Sequence, residues 1–172
     1  MGPIVDAMTI ASVPVPKDSL LAAYDRQPGC YTDAFVTEVA ATADFACYVA
    51  AFYTTPLFRL ERLILRWFAS LPSTDDEAQA LASGDRDRFA AWDVEARGEA
   101  ELLLADVSGR TRSWLMVRRT DRGTALWFGS AVVPKVGGDA TAMSGLVTRL
   151  HRGYSRALLA SARARVRDRA KG

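Results

Sequence analysis

The stretch Phe89–Val133 reads FAAWDVEARGEAELLLADVSGRTRSWLMVRRTDRGTALWFGSAVV, and its reading decides the fold. Four amphipathic runs of strand-forming composition lie in or on it: approximately Phe89–Arg97, Ala100–Asp106, Arg110–Arg118 and Thr124–Val133. Gly98, Ser108-Gly109 and Asp121-Arg122-Gly123 separate them, and these residue types suit tight turns. Strands joined by short turns form an antiparallel meander with a face to cover. The segment Ala142–Arg167 predicts one long helix whose apolar stripe can cover it. A sheet curved around such a helix often leaves a cavity between the two.

Upstream of the meander, residues 1–16, with Pro3, Pro14 and Pro16, read as an extended lead-in. Lys17–Arg26 predicts a short helix capped by Asp18 or Ser19 and stopped by Pro28-Gly29. Cys30–Val39 is rich in β-branched and aromatic residues and predicts a strand. A helix is expected from Thr42 to about Tyr53. A second follows over Leu57–Ser70, with Thr55 as its N-cap and Pro56 at its first position. Thr74-Asp75-Asp76-Glu77 has the form of a capping box for a third helix ending at Gly84. No internal repeat and no long linker interrupts this order, so residues 1–172 are expected to form a single α+β domain.

On Phe89–Arg97, strict alternation puts Trp92, Val94 and Ala96 on one face and Asp93, Glu95 and Arg97 on the other. Trp114 and Met116 share a face with Arg110, Arg112 and Arg118, while Trp127 shares one with Ala125, Gly129 and Ala131. Both of these strands are apolar on both sides, so their inward side stays open. If Trp92, Trp114 and Trp127 face the same way, they make an aromatic floor with Arg112 beside it; otherwise they fill the core. On the closing helix, Met143, Leu146, Val147, Leu150, Tyr154, Ala157 and Leu158 follow the helical period. Arg149, Arg152, Arg156, Arg163 and Arg167 form the opposite side. The one histidine, His151, falls on the flank of the stripe.

Two carboxylates stand out. Glu61 has Leu57, Phe58, Ile64 and Leu65 as its neighbours one turn away, so its own helix offers no cation. Asp33 shares a strand face with Tyr31 and Phe35. Each either pairs with an arginine from another element or acts as a general acid or base in a cavity.

Composition excludes several classes. The chain has 172 residues, 49% of them hydrophobic, which suffices for a core and is unlike a disordered chain. Its apolar runs are too short to span a bilayer, and no secretory leader is legible. Cys30 and Cys47 lie in different elements without metal-ligand spacing, and are expected as reduced packing residues in a cytoplasmic protein. No metal or cofactor site is expected, since phosphate loops, Rossmann glycines and zinc spacings are all missing from the sequence. From Arg149 onward there are eight basic residues and one acid, a local charge of +7 within a net +2. The acids concentrate over Asp75–Glu101. Aromatic residues are not interleaved with the arginines, so pairing with those acids or solvation is expected rather than nucleic-acid binding.

The strand–helix–helix–meander–long helix order resembles the helix-grip architecture of the Bet v 1, START and polyketide-cyclase superfamily. Four segments are similar to those of a bacterial family of unknown function: Tyr31-Thr32-Asp33-Ala34-Phe35, Ala51-Phe52-Tyr53-Thr54-Thr55-Pro56-Leu57-Phe58-Arg59, Gly109-Arg110-Thr111-Arg112-Ser113-Trp114 and Phe128-Gly129-Ser130-Ala131-Val132-Val133. Some members of that family carry the domain behind a short-chain-dehydrogenase-like one. The resemblance spans roughly residues 30–165 and brings no established active site with it. It implies a curved antiparallel sheet around a long C-terminal helix, and a superfamily of lipid carriers, hormone binders and cyclases.

The expected function is therefore binding of a small apolar or amphipathic molecule between sheet and closing helix, with Trp92, Trp114, Trp127, Arg112, Tyr154 and His151 as candidate contacts. One alternative is a cyclase, hydratase or isomerase on the same frame that uses Glu61 or Asp33 as acid or base. The other is a homodimeric interaction module.

Overall fold

A computed structural model of the chain describes residues 9–59, 73–134 and 145–170, without the side chains of 145–148. The elements in chain order are β1 (Ala11–Val13), α1 (Ala22–Asp25), β2 (Tyr31–Val39), α2 (Phe45–Tyr53), a helical stretch beginning at residues 56–59, α3 (Asp75–Ser83), β3 (Arg88–Phe89), β4 (Trp92–Arg97), β5 (Glu101–Asp106), β6 (Thr111–Thr120), β7 (Gly123–Val132) and α4 (Gly145–Arg169). Among the described residues, seven strands form one antiparallel, unclosed sheet in the order β1-β2-β7-β6-β5-β4-β3. With the long C-terminal helix, this is an α+β chain in a helix-grip arrangement.

Local chemistry explains most of the element boundaries. Asp44 Oδ1 accepts from the Cys47 N–H at 2.6 Å and opens α2 three residues later than the expected Thr42 start. Thr55 Oγ1 accepts from the Phe58 N–H at 3.2 Å, in the N-cap role expected of it. Thr74 and Glu77 complete the reciprocal capping box of α3, and Gly84 closes that helix at φ +89°. Between β6 and β7, Thr120 pairs with Gly123 around a two-residue turn. Gly123 there has φ +144°, and a Cβ would lie 2.1 Å from the Val39 carbonyl oxygen, so only glycine fits.

The sheet departs from its expected form in three ways. The lead-in is not wholly irregular, because Ala11–Val13 pairs along β2 as an edge strand. The first meander run is broken by Ala90 at φ +52° into β3 and β4, and β4 carries a bulge between Val94 and Ala96. That bulge shifts the alternation: Trp92 and Val94 pack on the helix side, whereas Ala96 joins the cluster on the other side. Finally, both faces of the sheet are covered, not one.

On the helix side, Phe35, Leu104, Leu115, Leu126 and Phe128 pack against Tyr48, Phe52 and Tyr53 of α2 and Leu158, Leu159, Ala162 and Val166 of α4. Five rings, Phe52, Tyr53, Phe58, Phe89 and Phe128, meet with neighbouring centroids 4.9 to 6.2 Å apart across this interface. On the other side, Val15, Leu21 and Ala22 lie over Val36, Leu103, Trp114, Met116, Trp127 and Ala131. The expected helix Lys17–Arg26 shrinks to four residues, and Ser19 Oγ donates to the Pro16 carbonyl rather than capping it. What survives of the helix serves to drop Leu21 onto the sheet.

The tryptophan floor therefore does not form. Trp114 and Trp127 face the N-terminal segment, with centroids 6.4 Å apart, while Trp92 faces the helices. The closing helix is also rotated from its expected setting. Its buried line is Ser155, Leu158, Leu159, Ala162 and Val166, so of the expected stripe within the described side chains only Leu158 is buried. Leu150 is 66% exposed, and Tyr154 and Ala157 also face outward. Moving the stripe by one residue turns a helix by about 100°, which brings His151 onto the sheet-facing side.

Candidate functional site

The register of β2 on β7 places Asp33 opposite Ser130. Both side chains point to the helix face, where α4 crosses the pair and sets His151 above them. Ser130 Oγ donates to Asp33 Oδ1 at 2.6 Å and lies 2.8 Å from His151 Nε2. His151 Nε2 is 3.6 Å from Asp33 Oδ2. Tyr31, two residues before Asp33 on the same face, donates from its hydroxyl to Asp33 Oδ2 at 3.3 Å, and its ring meets the imidazole edge-on. Burial and the Asp33 charge hold the Tyr31 hydroxyl protonated, with its pKa pushed up to about 12, partly offset by Arg152. The side chain of Asp33 is 6% exposed and that of His151 26%, so the carboxylate is inside and the imidazole reaches the surface.

Proton accounting fixes the direction of the chain. An ionised Asp33 can only accept, so the Ser130 hydroxyl proton points to it, and His151 Nε2 must then donate to Ser130 Oγ. This differs from a hydrolytic triad, in which the carboxylate sits on the other ring nitrogen and the serine proton is aimed at the histidine. Such a chain can relay a proton between imidazole and carboxylate, whereas the serine proton is not aimed at the histidine as a serine nucleophile requires.

Asp33 and His151 are thus brought together, and the other candidates lie elsewhere. Arg112 is on the opposite face of the sheet. Its Nε lies 2.5 Å from Glu95 Oε2 and donates to the Tyr24 hydroxyl at 2.8 Å, while Nη1 reaches the Gly109 and Thr111 carbonyls. Tyr24 in turn donates to Glu95 Oε1, so Arg112 fastens α1 to the sheet. Trp114 donates from Nε1 to Glu101 Oε2 at 2.9 Å on that same face. Trp127 carries the Arg118 guanidinium over its ring at 5.8 Å. Trp92 belongs to the helix face but sits in β4, three strands from β7 across the sheet. Tyr154 faces outward on α4. Glu61 lies outside the described residues.

The C-terminal arginines are exposed or paired, but with partners other than those expected. Arg152 donates to Ser12 Oγ, Arg156 lies over the Phe35 ring at 5.6 Å, and Arg163 donates to Thr37 Oγ1. They flank the β1–β2 edge. The acids of α3 and β4 use closer cations: Asp75 pairs with Arg59, Glu77 with Arg86 and Asp93 with Arg88.

Sequence reasoning missed Ser130. The available signal was a hydroxyl at the inward position after Leu126 and Phe128, on the same face as Thr124 at the start of the strand. Ser155 was missed as well: it is fully buried one helical turn from His151 on the same side, and its Oγ has no hydrogen-bond partner among the described residues. Among the described residues, no group of three or more His, Cys, Asp or Glu side chains is placed to hold a metal ion, and no helix is long and apolar enough to cross a membrane. Both cysteines are free.

No protein-family model and no curated protein matches the chain. The class is defined by fold: an α+β helix-grip arrangement in which a buried carboxylate is linked through a hydroxyl to a part-exposed imidazole where the closing helix crosses the strands.

Proposed function

We propose that this chain is a small-molecule-binding domain that seats an apolar or amphipathic ligand beside α4, with the ligand's polar end at Asp33, Ser130, His151 and Tyr31. A cytoplasmic setting and membership of the bacterial helix-grip family described above belong to the same reading. The observation that carries it is the polar chain itself. A carboxylate, a hydroxyl and an imidazole meet on the face that Phe35, Leu126, Phe128, Leu158 and Leu159 pack. Apolar sites with a few convergent polar groups are the usual form of small-molecule sites.

Native mass spectrometry of freshly purified protein tests this. A retained small molecule is expected in the wild type and should be lost in His151→Ala and Asp33→Asn variants that still melt cooperatively. Retention unchanged in both variants would move the site elsewhere.

The Ser130 bridge favours a second reading, an acid–base enzyme of the cyclase, hydratase or isomerase kind. A substrate proton taken up at Nδ1 of His151 would be matched by transfer of the Nε2 proton to Ser130 Oγ and of the Ser130 proton to Asp33. Turnover of a candidate substrate that survives in Ser130→Ala at the wild-type rate would exclude this route.

A further inference from the structure

We infer that the polar end of this site selects a ligand head group that donates hydrogen bonds, a hydroxyl or an ammonium, and rejects a carboxylate. The inference rests on the ligand-binding reading above and adds the chemical class of the ligand. It follows from where the protons of the cluster must lie. Tyr31 and Ser130 both donate to Asp33, and each has one hydroxyl proton to give. His151 approaches Ser130 through Nε2, so that nitrogen must carry a proton, and in the neutral ring Nδ1 is left with a lone pair. Nδ1 has no partner among the described residues. The groups turned away from Asp33 are thus acceptors: Nδ1 of His151 and the remaining lone pairs of Tyr31.

Charge points the same way. Asp33 is almost fully buried, and among the described residues the basic side chain within ion-pair distance of it is His151. Of the arginines around the site, Arg152 donates to Ser12 Oγ while its charge still reaches the Tyr31 hydroxyl, and Arg156 lies over Phe35. A carboxylate placed against Nδ1 would set acceptor against acceptor above a buried anion, whereas a hydroxyl or ammonium supplies the missing proton. Ser155 adds a polar group that can both donate and accept, and so does not itself choose between head groups. Its buried hydroxyl, without a hydrogen-bond partner among the described residues, lies one turn along α4 from His151, and such groups are seldom left unsatisfied in folded proteins.

The chain contains one histidine, so protein labelled with ¹⁵N-histidine shows a single pair of ring nitrogens. The probes are 1-octanol, octylammonium and octanoate, matched in chain length and used below their aggregation limits. The pH is chosen so that the spectrum shows the neutral ring. The free protein should show the proton on Nε2. The Nδ1 resonance should move toward its hydrogen-bonded position with octanol and octylammonium. Octanoate should bind at least about tenfold more weakly, the scale of one hydrogen bond lost at a buried site. In Ser130→Ala, which frees Nε2 from its fixed acceptor, the two ring tautomers should both appear and the preference should shrink.

A neutral ring protonated on Nδ1, or octanoate binding as tightly as octanol, overturns the inference and leaves the ligand-binding site itself standing. Failure of all three probes to shift either nitrogen overturns the site and the inference together.

Discussion

Ser130 is the residue on which the site depends. Its hydroxyl is the shortest contact of a buried carboxylate and also holds the imidazole. Ser130→Ala should therefore lower stability by about 1–3 kcal/mol, the cost of leaving a buried acceptor without its donor. Urea melts of Ser130→Ala, Asp33→Asn and the double variant measure this, and a double-variant loss equal to the sum of the single losses would deny the coupling. Tyr31 makes a prediction about pH. Its hydroxyl keeps its proton longer in the folded chain, with a pKa pushed up to about 12 from the ordinary 10.0. The folded state then binds more protons than the unfolded one in that window, so stability falls as pH rises. The contribution is intact below about pH 10 and is lost as pH climbs through about 12. Tyr24 and Tyr48 are also raised, so the test is the difference between wild type and Tyr31→Phe, whose alkaline decline should be shallower. Gly129 is fixed by crowding, not by backbone conformation. A Cβ there would meet Leu21 Cδ2 at 2.7 Å, the Asp33 carbonyl oxygen at 2.8 Å and Trp114 Cε3 at 2.9 Å. Gly129→Ala should cost at least about 1–3 kcal/mol, as overpacking does. Truncating Leu21 as well should recover only part of that, because a backbone oxygen remains in the way.

At the scale of elements, α4 shows how one register error hides a site. Read with Leu150 and Tyr154 inward, the helix puts His151 on the flank. In its observed setting Leu158, Leu159, Ala162 and Val166 are buried and His151 faces β7. Paired alanine substitutions check the rotation. Leu159→Ala should cost about 2–5 kcal/mol, as for other buried leucines. Leu150→Ala, at a position 66% exposed, should stay within about 0.5 kcal/mol of wild type. Equal losses at the two positions would reject this packing. Arg165 reaches in the other direction, donating to the Thr54 carbonyl at 2.7 Å at the C-terminal end of α2. A cation there complements the negative end of the helix dipole, so one helix both covers the sheet and ties down its neighbour.

For the whole molecule, the β2–β7 pairing joins an early strand to the last strand of the meander. It runs from Tyr31 opposite Val132 to Val39 opposite Thr124, and α4 lies across it. Removing the chain from Leu146 onward would strip that cover. Burial of Leu158, Leu159 and Val166 contributes roughly 1.5–3 kcal/mol each, comparable in sum with the whole stability of a domain. The truncated chain should show no cooperative melt, and a transition near the wild-type temperature would contradict this account of the core. The second core, under Leu21, explains why so many strands are apolar on both sides: the N-terminal segment folds back over the face that a simple two-layer reading leaves to solvent.

The sequence alone determined what nearest neighbours decide. Turn residues at Gly98, Gly109 and Gly123, the capping box at Thr74–Glu77, the cap at Thr55 and the alternation of the meander from β5 to β7 all act within a few residues, and each appears where local chemistry puts it. From these follow the α+β class and the antiparallel sheet with its closing helix. Only the tertiary structure decided which way doubly apolar strands face, since Trp114 and Trp127 suit either side until Leu21 arrives from 93 positions before Trp114. The bulge in β4, the rotation of α4 and the meeting of Asp33 with Ser130, 97 positions apart, belong to the same category. Their cause is packing between distant segments, where burying one side chain excludes another, and no local propensity encodes that choice.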